Sequence, residues 1–205
     1  MARAMASESS AATARASSTE PAASLSSLTA VWLAGCAAAV AGAAVVVWQG
    51  YAPPPSLTDA LSPHRAHAGA DDLAMFQAAL EERYPEAQKT VIAHSYGTLL
   101  ATKTAKDHGL LADDLWLLGS PGVAGEHSSE LTLAGPDSTV HVVDSPTDPI
   151  LLLRSGPSAA LGASPSYVGW GGERLPGVRG GHCDYFTDPA FVSALQQRTD
   201  RPAGM

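Results

Sequence analysis

The stretch that most constrains the fold is TVIAHSYGTLLATKTA, residues 90–105. Its first five residues favour a β-strand, and residues 96–108 favour a helix. Ser95 lies between the two, in what must be a very tight turn. Such a turn strains the backbone, projects the side chain above the sheet and favours small neighbours, here Ala93 and Gly97. The pattern indicates that the position of this serine is functional rather than incidental.

Short apolar runs alternate with helix-like segments over most of the chain. The predicted strands are residues 90–94, 115–118 and 140–143, and the predicted helices are residues 66–84, 96–108 and 189–197. This alternation is typical of an α/β fold with a mostly parallel sheet and helices on both faces. Residues 156–181 are rich in glycine and have little periodicity, so we expect a long loop over the carboxyl edge of the sheet, where such folds bind ligands.

The first part of the chain differs in composition from the rest. Residues 1–27 are mostly Ala and Ser and are expected to be disordered. Residues 28–48 are uncharged, and by length alone they could span a membrane. The letters LAGC at 33–36 resemble a bacterial lipoprotein signal, but the leader lacks the net positive charge of one. We favour a third interpretation, a buried helix followed by a strand at 45–48, because three successive valines there end against a proline-rich turn.

These boundaries predict one main domain. We expect a disordered leader at residues 1–27 and an apolar helix, also a possible membrane span, at residues 28–44. An α/β domain at residues 45–198 and a disordered tail at residues 199–205 follow. The net charge is −8 and no Lys/Arg cluster occurs, so nucleic-acid binding is not expected. Cys36 and Cys183 lack disulfide or zinc spacing. We expect a cytoplasmic protein or, alternatively, one anchored in the membrane by residues 28–48.

The turn around Ser95 matches the nucleophile elbow, G-x-S-x-G, with alanine at its first position. A serine nucleophile needs a base and an orienting carboxylate, in the order Ser, Asp or Glu, His. Asp144 and Asp148 both follow the strand at 140–143, and we prefer Asp148 because its loop can reach over the sheet edge. His182 follows two glycines and is the last histidine. The plainer alternatives are a helix-capping serine, an aspartate in a turn and a surface histidine.

Five segments, in order, carry a family resemblance: WQGYAPPPSL, VIAHSYGTLLATKTA, DDLWLLGSPGV, TDPI and GGHCDYF. Over about residues 45–195 they resemble a bacterial α/β-hydrolase family catalogued as domain of unknown function 1023. The resemblance implies Ser95, Asp148 and His182 as nucleophile, acid and base. Ala93 stands where that family has Gly, and Cys183 where it has Ser.

Such domains also carry an earlier strand, whose loop supplies a second donor to the oxyanion. Nothing in residues 1–27 resembles that strand. We therefore expect the front strands to be missing or replaced, in a degenerate copy or in a chain whose true start lies upstream.

The leading functional hypothesis is a serine hydrolase acting on a small ester or related acyl substrate, with no metal or organic cofactor. The backbone N–H of Tyr96 would be one oxyanion donor, aided by the positive end of the following helix. His94, Tyr167 and Trp170 are assigned to the substrate pocket. The alternative is a non-catalytic or vestigial binding protein, with membrane contact through residues 28–48.

Overall fold

The computed structural model describes residues 40, 43–54, 59–154 and 161–200. Three helices are present in this part of the chain: α1 (His64–Arg83), α2 (Gly97–Asp107) and α3 (Pro189–Thr199). The strands are β1 (Thr90–His94), β2 (Asp114–Leu118), β3 (Thr139–Val143) and β4 (Glu173–Leu175). Short 3₁₀ helices occupy Asp59–Leu61, Ser128–Glu130, Pro149–Arg154 and Tyr185–Thr187.

The four strands form one parallel sheet in the order β1-β2-β3-β4. Because they are parallel, their carboxyl ends meet at one edge, and the segments that follow them converge there. His94 pairs with Leu118, and Leu118 pairs with Val143. The segments beginning at Ser95 and Gly119 therefore leave the sheet side by side.

Helices cover both faces of the sheet, because the side chains of β2 alternate between two apolar clusters. Leu115 and Leu117 pack in the cluster that includes residues of α1 and α2. Trp116 and Leu118 pack in the other cluster, with Phe191 and Leu195 of α3. All five residues of β2 are buried, as expected for a strand covered on both faces. The predicted α/β fold class is confirmed.

The three predicted strands and three predicted helices are confirmed within two residues at each end. The loop prediction for residues 156–181 is wrong in part, because β4 forms inside it and extends the sheet beside β3. This strand has three residues and two of them are charged and exposed. It is too short and too polar to leave an apolar pattern in the sequence.

The prediction of a strand at residues 45–48 is wrong, because these residues have no regular secondary structure. Val46 and Val47 are exposed, by 56% and 45%. Trp48 instead packs its ring on Tyr51 and on Phe76 of α1, with centroids 6.1 Å apart in both pairs. The segment is held by side-chain packing on a helix, which β-propensity alone does not predict.

Strand β1, which ends directly before Ser95, lies at one end of the strand order, and no strand precedes it in the described part of the chain. The predicted helix at residues 28–44 falls mostly outside that part, as do the leader at 1–27 and most of the tail. No helix within residues 59–154 or 161–200 combines the length and the apolar character needed to cross a membrane.

Candidate active site

Ser95 is the only described residue other than glycine with a positive φ, 55°. Its amide donates to the Leu118 carbonyl at 2.9 Å, so the turn begins directly at the end of the sheet. The side chain and amide of Thr98 both donate to the Ser95 carbonyl, at 2.7 and 3.0 Å. The strained backbone is therefore stabilised by β2 on one side and by the first turn of α2 on the other.

One sequence argument about the turn needs correction. A Cβ added at Gly97 would meet no atom within 4 Å, so this glycine does not prevent a clash inside the protein. Ala93, by contrast, is buried at the end of β1. The open space at Gly97 lies at the N-terminus of α2, the end of a helix that attracts negative charge.

The structure brings Ser95, His182 and Asp148 into one hydrogen-bonded row. Ser95 Oγ lies 2.8 Å from His182 Nε2, and His182 Nδ1 lies 2.9 Å from Asp148 Oδ2 and 3.1 Å from Oδ1. Because a carboxylate only accepts, Nδ1 carries the proton and Nε2 is free to accept one from the serine. The Asp148 side chain is fully buried, whereas His182 is partly open to solvent.

The Asp148 carboxylate is held by two further hydrogen bonds, one of which is itself supported by a third. Its Oδ2 accepts a hydrogen bond from the Tyr185 hydroxyl at 2.7 Å, and its Oδ1 accepts the amide of Ile150 at 2.9 Å. Burial, and after it the hydrogen bond to Asp148, raise the pKa of Tyr185, so the hydroxyl stays protonated and donates. The same hydroxyl accepts the amide of Ser145 at 3.1 Å. These bonds leave the carboxylate one orientation, facing His182.

Gly119 makes this arrangement possible. It follows β2 with a φ of +52°, and a Cβ there would lie 2.7 Å from Asp148 Oδ2 and 2.8 Å from a ring carbon of Tyr185. Any side chain at this position would displace the Asp148 carboxylate or the Tyr185 ring. The Gly-Ser-Pro-Gly sequence after β2 thus begins with a residue that must lack a side chain.

The loop carrying His182 is bound to the loop carrying Asp148. Ser145 Oγ and Thr147 Oγ1 both donate to the Gly180 carbonyl, at 2.5 and 2.7 Å. On the other side, the Gly181 amide donates to Asp184 Oδ2 at 2.6 Å. Asp148 and His182 therefore reach the sheet edge as one connected unit.

Asp144, the other candidate acid, has different partners. Its carboxylate binds the Arg154 guanidinium and the Ser166 hydroxyl, and Arg154 Nη1 also donates to the Ser120 carbonyl at 3.0 Å. This ion pair ties the 3₁₀ helix after Asp148 to the sheet edge. The Asp144 carboxylate is thus engaged by Arg154 and Ser166 rather than by His182.

A family model described as "Alpha/beta hydrolase" matches residues 2–155, about three quarters of the chain. The chain belongs to the alpha/beta hydrolase family. The match includes Ser95 and Asp148 and ends before His182. It begins at residue 2, so it does not confirm the expected loss of front strands, and its description does not name the narrower group that the motifs resemble. No curated protein matches this chain.

The three residues assigned to the pocket of this alpha/beta hydrolase have different environments. Tyr167 is 73% exposed, on the segment that follows Ser166. Trp170 is 1% exposed, and its Nε1–H donates to the Gly125 carbonyl at 3.1 Å, so its assignment to a pocket wall is corrected to the core. His94 packs its ring against those of His182 and Tyr185.

Sequence reasoning missed Tyr185 and Gly119 as parts of the site. The available signal was their place in GGHCDYF and GSPG, two of the segments that carried the family resemblance. Among the described residues, no group of three or more His, Cys, Asp or Glu could hold a metal ion. A cavity of about 390 Å³, lined by residues such as Ser128, Thr139 and Glu173, opens at the amino ends of β3 and β4, and Ser95, Asp148 and His182 are not among its lining residues.

The strain at Ser95 predicts an effect on stability that does not depend on catalysis. The free energy of unfolding is expected to be about 1 kcal/mol higher for Ser95→Gly than for Ser95→Ala, because a left-handed backbone is costly for residues with a Cβ. The glycine variant should therefore be the more stable of the two. Urea denaturation of both variants measures the difference. Ser193 is an exposed residue inside α3 and serves as the control site. There the alanine variant should be more stable than the glycine variant by about 1 kcal/mol, because glycine is unfavourable inside a helix. An equal or more stable alanine variant at 95 would contradict the observed turn.

Proposed function

We propose that this protein is a serine hydrolase that cleaves an ester or related acyl substrate through Ser95, His182 and Asp148. The observation that carries the proposal is the continuous row of hydrogen bonds from Ser95 Oγ through the imidazole to a buried carboxylate. A serine capping a helix needs neither partner, and Ser95 also occupies a strained turn. Strain of this kind persists where the surrounding structure enforces it, commonly at functional sites.

The reaction has two steps. In the first, Ser95 Oγ bonds to the acyl carbon while its proton passes to His182 Nε2, and the imidazolium then protonates the leaving alcohol as the ester C–O bond breaks. In the second, His182 takes a proton from water as the water oxygen bonds to the acyl carbon, and the imidazolium then returns that proton to Ser95 Oγ as the Ser95–acyl bond breaks. Asp148 holds the Nδ1–H tautomer and stabilises the imidazolium. These groups account for hydrolysis without a metal or organic cofactor.

The negative oxygen formed in each step is proposed to lie at the N-terminus of α2, with the Tyr96 amide as one donor. Support comes from the open space at Gly97 and from the helix dipole there. The Tyr96 side chain does not take part, because its hydroxyl donates to the Ser62 carbonyl at 2.6 Å and accepts the amide of Ala66. Tyr167 remains our proposal for a residue that faces the substrate.

Within the alpha/beta hydrolases, we propose that the chain belongs to the narrower group catalogued as domain of unknown function 1023, on the strength of the five ordered segments. Its substrate would be a small acyl compound, and its location the cytoplasm, with membrane contact through residues 28–48 as the alternative.

A second candidate function is binding without catalysis. The position of β1 at the edge of the sheet favours it, because the described residues offer no earlier strand to supply a second oxyanion donor. Losing one such donor typically lowers the rate about 10²–10³-fold. A domain that keeps the row of hydrogen bonds and lacks the second donor could hold an acyl ligand without turning it over.

Covalent labelling by a fluorophosphonate probe distinguishes the two candidates. We expect the purified full-length protein to gain one probe per chain in its intact mass, and Ser95→Ala and His182→Ala to gain none. Ser193→Ala, at an exposed serine of α3, should label like the wild type. A wild-type protein that unfolds cooperatively but takes up no probe would overturn the hydrolase proposal and favour the binding function.

A further inference from the structure

His94 is the last residue of β1, directly before Ser95, and it takes no part in the reaction steps above. Its Nε2 lies 2.7 Å from the main-chain carbonyl oxygen of His182. Because a carbonyl only accepts, this nitrogen carries the proton and donates. The strand that bears the nucleophile is thus bonded to the very residue that bears the base.

The rings of the two histidines also pack together. Their centroids are 4.6 Å apart with an interplanar angle of 36°. The rings of Tyr185 and Phe186 lie on the same imidazole of His94, each with a centroid distance of 5.8 Å. His94 therefore occupies an aromatic box built from the segment GGHCDYF and contributes the link from that box to β1.

Two other attachments of the main chain around His182 do not reach β1. The Gly180 carbonyl is bound by Ser145 and Thr147, on the acid side, and the Gly181 amide binds Asp184 within the same loop. These contacts fix the base relative to the acid. A reaction that starts with a proton passing from Ser95 to His182 also needs His182 to be fixed relative to β1, which ends directly before Ser95. The hydrogen bond from His94 to the His182 carbonyl provides this attachment.

We propose that His94 is a positioning residue, which holds His182 Nε2 in reach of Ser95 Oγ by donating its own Nε2–H to the His182 carbonyl. The inference rests on the proposed serine-hydrolase function. Nothing in the elbow motif demands histidine before the serine, so the residue type is explained by this bond.

The charge state of His94 fits the role. Burial, and after it the charge of His182, lower the pKa of His94 to about 4. Among the described residues, the titratable groups recorded against it are His182, Asp148 and Tyr185. A neutral His94 keeps its donor at neutral pH and adds no second positive charge beside His182 when that residue takes the serine proton.

Two substitutions separate the hydrogen bond from ring packing. His94→Gln retains a donor, because Nε2 is three bonds from Cβ in both side chains, whereas His94→Phe retains the ring and loses the donor. We expect the rate of Ser95 phosphonylation to fall about 10- to 100-fold in His94→Phe and to recover to within about threefold of wild type in His94→Gln. The same two changes at His108, an exposed histidine bound to Asp71, should leave the rate unchanged.

A second measurement uses the wild-type protein and does not require activity. Histidine ring ¹⁵N NMR of the full chain should show His94 as the neutral Nε2–H tautomer down to about pH 5. An Nδ1–H tautomer, titration near the ordinary value of about 6.5, or a wild-type labelling rate in His94→Phe would overturn the proposal. If the wild type shows the Nε2–H tautomer but takes up no probe, the hydrolase function would be overturned instead. The hydrogen bond from His94 to the His182 carbonyl would then have no catalytic role.

Discussion

Asp148→Asn is expected to slow phosphonylation of Ser95 by about 10³–10⁴-fold while the protein stays folded. Asparagine can present its amide N–H groups to His182 Nδ1, which favours the tautomer whose proton sits on Nε2. That nitrogen could then no longer accept the proton of Ser95. The measurement is the second-order rate constant for labelling by the fluorophosphonate, with circular dichroism to verify the fold.

Asp144→Asn is the matched control, because both aspartates follow β3 and only one contacts His182. Its carboxylate binds Arg154 and Ser166, so we expect labelling to remain within about tenfold of wild type and the cost to appear in stability. If instead the Asp144 variant lost labelling and the Asp148 variant kept it, the assignment of the acid would be reversed.

The largest expected loss of stability comes from Asp114, a buried residue at the start of β2. His141 Nε2–H donates to its Oδ1 at 2.9 Å, and Arg198 of α3 donates to the same oxygen, with Nε at 3.0 Å. Asp114→Ala would leave both donors without their carboxylate, and we expect the free energy of unfolding to fall by about 3 kcal/mol. Arg198 is partly exposed, so the expected loss of unfolding free energy lies at the lower end of the range of about 3–5 kcal/mol for a broken buried ion pair. Urea denaturation measures it.

Glu173→Ala is the control for this substitution. Glu173 Oε2 lies 3.5 Å from His141 Nδ1, but its side chain is 70% exposed, so the pair is well solvated. We expect a change within about 0.5 kcal/mol. An equal loss of unfolding free energy in Asp114→Ala and Glu173→Ala would contradict the special role of the buried hydrogen bond between His141 and Asp114.

The dependence of stability on pH is an independent test of the contacts between Asp114, His141 and Arg198. Burial by itself would raise the pKa of Asp114, but the hydrogen bonds from His141 and Arg198 outweigh it and hold the pKa below the ordinary value. A carboxyl group with a lower pKa in the folded state contributes stability above its unfolded pKa of about 4 and loses that contribution as the pH falls through the folded pKa. Wild-type stability should therefore decline more steeply than that of Asp114→Ala below about pH 4. Parallel declines would contradict the assigned pKa shift.

Several features of the site were predictable because they depend on neighbouring residues. The strand, the turn at Ser95 and the helix up to Gly109 follow from the propensities of adjacent residues. The order of serine, aspartate and histidine follows from the motif. The spacing alone did not separate Asp144 from Asp148, because both follow β3, and the preference for Asp148 rested on the reach of its loop and on the family resemblance.

The remaining features depend on residues far apart in sequence. Asp148 and His182 are separated by 34 positions, and His94 and His182 by 88, so no local pattern reports their contacts. The strand β4 forms only because the edge of β3 offers backbone partners to a short charged segment. The valines at 45–47 have strand propensity but pair with no strand in the described part of the chain, and Trp48 packs on α1 instead.

The sequence by itself determined the α/β class, the elbow and the set of reactive residue types, because periodicity and turn chemistry act over a few residues. Tertiary structure alone decided which carboxylate faces His182, why Gly119 must lack a side chain and what His94 binds. Those outcomes depend on how loops from separate strands pack at one edge of the sheet, and packing of that kind is a property of the assembled chain rather than of any segment.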